Sequence, residues 1–152
     1  MPEDAERTEF VEGLGGTLAQ MGFPRMPARV FARLLAGPED TLTARELADR
    51  LGVSPAAISG AVRYLGQFRM INRTRVPGDR VDRFGVGVNI WEHVIQAEAA
   101  AFGPMLEMFD EALEQVDFGP AKERVQETRD FLAFYQAEVP QILARWRESR
   151  RG

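Results

Sequence analysis

Apolar side chains recur at three- and four-residue steps along most of this chain, and the breaks in that period divide it into elements. Phe10, Val11, Leu14, Leu18 and Met21 share one face and predict a helix over residues 5–21. Gly13, Gly15 and Gly16 weaken it unless another helix packs closely there. Two prolines in GFPRMP end the pattern, and residues 27–36 resume it with Val30, Phe31, Leu34 and Leu35 directed inward. After a GPED turn comes TARELADRLGVSPAAISGAVRYLGQF, residues 43–68, which reads as two helices joined by a very short break. Thr43 and Glu46 have the S/T-x-x-E spacing of a capping box, and Leu47 and Leu51 form the buried face. Gly52 supplies a left-handed stop. Ser54 caps the next helix with Pro55 at its first position, and Ile58, Val62, Leu65 and Phe68 make its inward stripe.

The period then changes from helical to alternating. MINRTRV and VDRFGV flank PGDR, which predicts a β-hairpin with its turn at residues 77–80 and with Arg73 and Arg75 on one face. Helical spacing returns over residues 88–116, carried by Trp91, Val94, Ile95, Phe102, Leu106, Phe109, Leu113 and Val116, with a kink expected at Gly103–Pro104. FGPAK breaks it. Residues 121–149 continue with Val125, Leu132, Tyr135, Val139, Ile142 and Trp146, and Pro140 is expected to bend or divide that helix.

Helix, glycine corner, helix and hairpin, in that order, form a winged helix-turn-helix. Ala48 is small enough for the helix crossing, and Ile58 reaches back toward Leu47, Leu51 and Val53. The expected fold is therefore mainly α with a small β-hairpin wing: a winged helix-turn-helix plus a helical dimerisation bundle. Residues 1–22 are expected to contribute a helix to dimerisation, residues 23–87 to form the winged domain, and residues 88–152 to form the C-terminal dimerisation region.

Charge sharpens this picture. The whole chain of 152 residues is acidic, with a net charge of −4. Residues 43–84 nonetheless carry eight arginines against four acids, while residues 85–152 carry seven basic groups against twelve acids. A basic segment on an acidic body is an electrostatic footprint for DNA. The absence of cysteine excludes disulfides and thiolate metal sites, and one histidine, His93, excludes a histidine-rich metal centre. No apolar run approaches the length of a membrane helix, and the acidic start MPEDAERTEF lacks the form of a secretory signal, so the expected location is cytoplasmic. No nucleophile with a base, no phosphate-binding glycine loop and no metal-ligand cluster stands out, so no catalytic residues, metal ligands or cofactors are expected.

The candidate chemistry is recognition of double-stranded DNA. On the second helix of the motif, Ser54, Ala56, Ala57, Ser59, Arg63, Tyr64 and Gln67 remain once the inward stripe is removed. Small residues let the backbone approach a major groove about 12 Å wide, while Arg63 and Gln67 can reach base edges. Arg73, Arg75, Arg80 and Arg83 crowd the hairpin, where arginine suits the negative potential of a narrow minor groove. Asp79 and Asp82 are expected to hold these arginines in position. An aromatic and methionine set, Phe23, Trp91, Phe102, Met105 and Tyr135, is a candidate pocket for a small-molecule effector, with an ordinary core as the alternative. The alternative reading of the whole chain is a winged-helix protein–protein adaptor without sequence-specific DNA binding.

The stretches FPRMPARVFARLLAG, TARELADRLGVSPAAISGAVRYL and PGDRVDRFGV, within residues 24–95 or so, resemble the MarR superfamily of bacterial regulators and within it the GbsR-like branch. The resemblance implies a homodimer, a palindromic operator and usually repression. It also implies that Arg80 enters the minor groove with Asp79 orienting it, although Val81 stands between two Asp–Arg pairs and Arg83 competes for that role. Beyond residue 95 the resemblance extends to helicity alone.

Overall fold

A computed structural model describes residues 2–152, which form two compact units meeting in the sequence at Ile90 and Trp91. In the first unit, α1 (Pro2–Gln20) and α2 (Arg25–Ala36) precede β1 (Leu42–Thr43), α3 (Ala44–Leu51) and α4 (Pro55–Gln67), and the unit closes with β2 (Asn72–Thr74) and β3 (Arg83–Gly85). The second unit holds α5 (Ile90–Ala101), α6 (Gly103–Gln115), a 3₁₀ turn at Gly119–Ala121 and α7 (Lys122–Ser149). The architecture is the expected mainly α winged helix-turn-helix, with one small antiparallel sheet in the order β1-β3-β2.

Val30, Phe31, Leu47, Ile58, Leu65 and Met70 are almost wholly buried and form the centre of the first unit. Helix α1 crosses α2 at Gly15, where an added Cβ would lie 3.4 Å from the Arg29 Cα. Gly13 and Gly16 face open space, so the close helix packing expected to explain all three glycines explains only Gly15. Arg29 reinforces the crossing: its Nη2 donates to Glu12 Oε1 at 2.9 Å and to the Leu51 carbonyl at 3.4 Å.

Several side chains expected inside are outside. Phe10, Met21, Leu35 and Phe68 are exposed, whereas Val11 and Leu34, next to Phe10 and Leu35, are buried. Neighbours on a helix differ by about 100°, so a short apolar cluster does not set which member faces inward. Ala61, absent from the expected stripe, is buried against the unit instead.

Residues 88–116 form two helices, not one kinked helix. The break falls at Phe102, and Pro104 sits in the first turn of α6, where its missing N–H leaves no bond unmade. Pro140 does not divide α7, which runs for 28 residues with that exposed proline inside it. The core of the second unit is small: Ala99, Val139 and Leu143 are buried together, with Ile95 and Tyr135 packed on them, and Leu106 is buried on α6. Trp91, Val116, Ile142 and Trp146, expected inward, are exposed, along with Met105, Met108, Phe131 and Phe134. Among the described residues no helix is long and apolar enough to cross a membrane.

Candidate nucleic-acid interface

The candidate interface begins with two consecutive caps. The Thr43 N–H donates to Glu46 Oε2 at 2.7 Å, and the Glu46 N–H donates to Thr43 Oγ1 at 3.2 Å, closing the expected capping box on α3. Gly52 ends α3 at φ 64°, in the left-handed region. Two residues later the Ala57 N–H donates to Ser54 Oγ at 3.2 Å, so α4 starts at once with Pro55 in its first turn. The chain thereby changes direction within three residues, and Ile58, Ala61 and Leu65 pin one side of α4 to the core.

The opposite side of α4 is open. Ser54, Ala56, Ser59, Gly60, Arg63 and Gln67 are exposed, and a Cβ added to Gly60 would meet nothing within 4 Å. The small-residue face is not consumed by packing. Ala57 is half-buried, and so is Tyr64, which leans on Phe68 with ring centroids 4.9 Å apart.

The wing sorts its arginines into three environments. Arg73 pairs with Phe84 and Thr74 with Arg83 in the β2–β3 register, which sets Arg75 across from Asp82. Asp82 gathers both arginines on this side, accepting from Arg73 Nη2 and from Arg75 Nε at 2.9 Å. The bond from Arg73 is the chief reason the Asp82 carboxyl lies below the usual carboxylate range; Arg75 adds to it. Arg83 is held elsewhere: its Nε donates to Thr41 Oγ1 at 2.9 Å, and its Nη2 donates to the Thr41 carbonyl at 3.1 Å and lies 3.4 Å from Glu46 Oε2. Glu46 is held below its ordinary value, first by the Thr43 backbone N–H and the Thr43 hydroxyl, with Arg83 contributing through its charge.

Arg80 stands at the tip, exposed, with no ion pair among the described residues. The tip is stiffened from its backbone. The Asp79 N–H donates to the Val76 carbonyl at 2.9 Å, with Pro77 and Gly78 (φ 87°) at the two central positions of the turn. Asp79 Oδ1 in turn accepts from the Val81 N–H at 3.1 Å. Asp79 therefore clamps the backbone on both sides of Arg80, while its carboxylate binds no arginine among the described residues.

Between α4 and the wing lies a cleft of about 440 Å³. Ser59, Val62, Arg63 and Gly66 form its α4 wall, Ile71, Arg73, Asp82 and Phe84 its wing wall, and Ala44 contributes from α3. Of the candidate DNA contacts, the structure brings together Ser59, Arg63 and Arg73 here; Arg80 projects from the tip and Arg83 faces β1 and α3. Sequence reasoning missed Thr41 and the second role of Glu46, because the Thr41–Arg83 contact spans 42 positions and no periodicity marks it.

The candidate effector residues are distributed between the units. Phe23 is half-buried between α1 and α2. In the second unit Phe102 and Tyr135 meet edge to face at 5.9 Å, while Trp91 and Met105 are 50% and 40% exposed. Burial, and then the Glu98 carboxylate, push the Tyr135 phenol above its ordinary value. Among the described residues no group of three or more His, Asp or Glu side chains could hold a metal ion.

Comparison with known proteins agrees with this fold. Residues 21–80 match the MarR family model, and residues 89–149 match the model of MmpR5-like MarR family transcriptional regulators. The C-terminal helices thus carry a family signature where sequence reading found only helicity. The chain is 29% identical over 148 residues to the HTH-type transcriptional regulator MmpR5 of Mycobacterium tuberculosis (strain ATCC 25618 / H37Rv), a match covering 96% of this chain and 90% of that protein. It superposes on a crystal structure described as a transcriptional regulator with a TM-score of 0.84 at 30% identity, covering 94% of this chain and 99% of the other.

Proposed function

Because the chain belongs to the MarR family of winged-helix transcriptional regulators, we propose that it acts in the cytoplasm as a homodimeric repressor, binding a palindromic operator through α4 and the wing. The observation that carries this reading is the open small-residue face of α4 beside a cleft walled by Arg63 and Arg73. In it α4 lies in the major groove, with Arg63 and Gln67 at base edges and Ser54 and Ser59 at phosphates or base edges. Arg80 enters the neighbouring minor groove, because Arg83 is engaged by Thr41 and Glu46 while Arg80 is free at a stiffened tip.

Dimerisation is supported by the second unit. Phe131, Phe134, Met108 and Trp146 are each at least half exposed on helices whose own core is only a few residues deep. Large exposed apolar patches mark interaction sites, and a twofold dimer presents two recognition helices to two half-sites. The match over residues 89–149 favours an MmpR5-like rather than a GbsR-like branch. Effector control through the Phe102–Tyr135 region is part of the proposal, tested by thermal-shift measurements with apolar acids, phenols and quaternary amines.

Selection of bound duplexes from a random pool with the purified protein tests the central reading. A recovered inverted repeat with half-sites about one helical turn apart supports it. Recovery of no preferred sequence, with retention of acidic protein partners instead, returns the adaptor alternative.

A further inference from the structure

We propose that Glu46 is a positioning residue for the wing: besides capping α3, its carboxylate and Thr41 bolt Arg83, and with it the root of β3, to the N-terminus of α3. The inference rests on the DNA-binding reading for its consequence and on the structure for its geometry. Three observations lead to it.

The first is how few backbone pairs hold the wing beside the burial of Phe84 and Gly85 at its root. Strand β1 has two residues, and only Leu42 with Phe84 and Thr43 with Arg83 pair it to β3. Strand β2 is exposed at every residue and is the outer strand of the sheet. Short ladders of this kind are marginal by themselves. The second is the quality of the added attachment. One guanidinium makes a fork of contacts to the Thr41 hydroxyl, the Thr41 carbonyl and Glu46, all on the segment that starts α3, and its side chain is 28% exposed. The third is that Glu46 is shared. The oxygen facing Arg83 is the one that accepts from the Thr43 N–H, so the helix cap and the wing anchor meet at one atom.

Arg80 lies three positions from Arg83, about 10 Å along an extended strand. A rotation of about 10° at the root therefore moves the tip by about 2 Å, more than a hydrogen bond tolerates. The bolt thus sets the separation between α4 and the tip, and the two must match neighbouring grooves.

The test uses a sign that charge alone would reverse. Glu46→Gln removes a negative charge from the basic segment 43–84, which by electrostatics strengthens DNA binding. It retains an acceptor for the Thr43 N–H, since glutamine serves in capping boxes. The bolt predicts that Glu46→Gln weakens binding to the selected duplex by about five-fold, with an unchanged salt slope because no phosphate contact is lost. Thr43→Ala, which damages the cap and leaves Arg83 in place, should not reproduce this loss. Glu46→Gln combined with Arg83→Gln should bind no worse than Arg83→Gln alone, as expected of partners in one interaction. Amide exchange at Leu42 and Phe84, whose pairing joins β1 to β3, reads the bolt without DNA and should quicken in Glu46→Gln.

Equal or tighter binding by Glu46→Gln overturns the proposal, as does unchanged exchange at the β1–β3 pairs. So does a salt slope that falls by about one in Arg83→Gln, which makes Arg83 a phosphate contact. If the wild-type protein binds no duplex, the regulator reading fails, while the exchange measurement still decides whether Glu46 anchors the wing.

Discussion

The Arg33 guanidinium occupies the space that a side chain on Gly37 would need. A Cβ on Gly37 would also fall 2.7 Å from the Arg33 carbonyl oxygen. The Gly37 backbone is extended (φ −70°, ψ 159°), so the position requires glycine for room and not for its dihedral freedom. Arg33 is 12% exposed and donates to Glu39 Oε2 at 2.8 Å, while Glu39 Oε1 takes Arg50 Nη2 at 2.7 Å. One carboxylate thus ties the end of α2 to α3. Gly37→Ala should lower unfolding free energy by about 1–3 kcal/mol, because the added atom meets backbone as well as a half-buried cation. Urea denaturation checks this; unchanged stability would mean that Arg33 can leave its seat freely.

Glu39 makes that seam acid-sensitive. Partial burial raises its pKa, but the hydrogen bond from Arg33, with the charges of Arg33 and Arg50, outweighs burial and holds it below the ordinary 4.5. A depressed folded value means that the unfolded chain takes up the proton first. The contribution is therefore complete above the ordinary value and is lost as pH falls through the folded one. Wild type should exceed Glu39→Gln in stability at pH 7, and the gap should shrink as pH falls below the ordinary 4.5. A gap that is constant with pH would rule out the carboxylate as its source.

Arg69 is the one non-glycine residue with positive φ among those described, at 54°. It turns the chain out of α4, where the Met70 N–H donates to the Leu65 carbonyl at 3.0 Å. Arg69→Gly should stabilise the protein by about 0.5–1 kcal/mol, relief of the left-handed strain exceeding the entropy cost of glycine. A lower melting temperature in the variant would contradict this.

Arg80 and Arg63 should differ in kind. Arg80→Ala should weaken binding on all duplexes and reduce the salt slope by about one, whereas Arg63→Ala should also relax preference at one base position by about 1–3 kcal/mol. Competition titrations at several salt concentrations separate the two. Equal loss on every sequence for Arg63→Ala would remove it from base reading.

Phe134 is 63% exposed on α7. Phe134→Glu should weaken self-association by roughly 30-fold or more while leaving helix content intact, if this face is the dimer seam. Sedimentation across a concentration series measures it, and an unaltered dimer would move the seam elsewhere.

How much of this was legible depended on how far each interaction reaches. Thr43 with Glu46, Gly52, Ser54 with Pro55, and Pro77 with Gly78 act on backbone groups within four positions of themselves, so their spacing announced their roles. Strand β1 had no such signal: two residues become a strand only because Phe84 and Arg83 arrive beside them. The expectation that Asp79 orients Arg80 meets a different contact: the Asp79 carboxylate works on the Val81 N–H, which a motif comparison does not reveal.

The order of amino acids by itself determined the helix-turn-helix, the wing and the basic band between acidic flanks, because caps, turns and charge counts are local quantities. Tertiary structure alone decided the phase of the helices and the division of labour among the arginines. Leu143 lies inside and Ile142 outside, although both are apolar neighbours, because only the position of α5 and α6 selects the buried face of α7. Arg73, Arg75, Arg80 and Arg83 are chemically identical, and their partners — Asp82, open solvent, or Thr41 with Glu46 — are assigned by pairing across the sheet, where a shift of one residue exchanges the two faces.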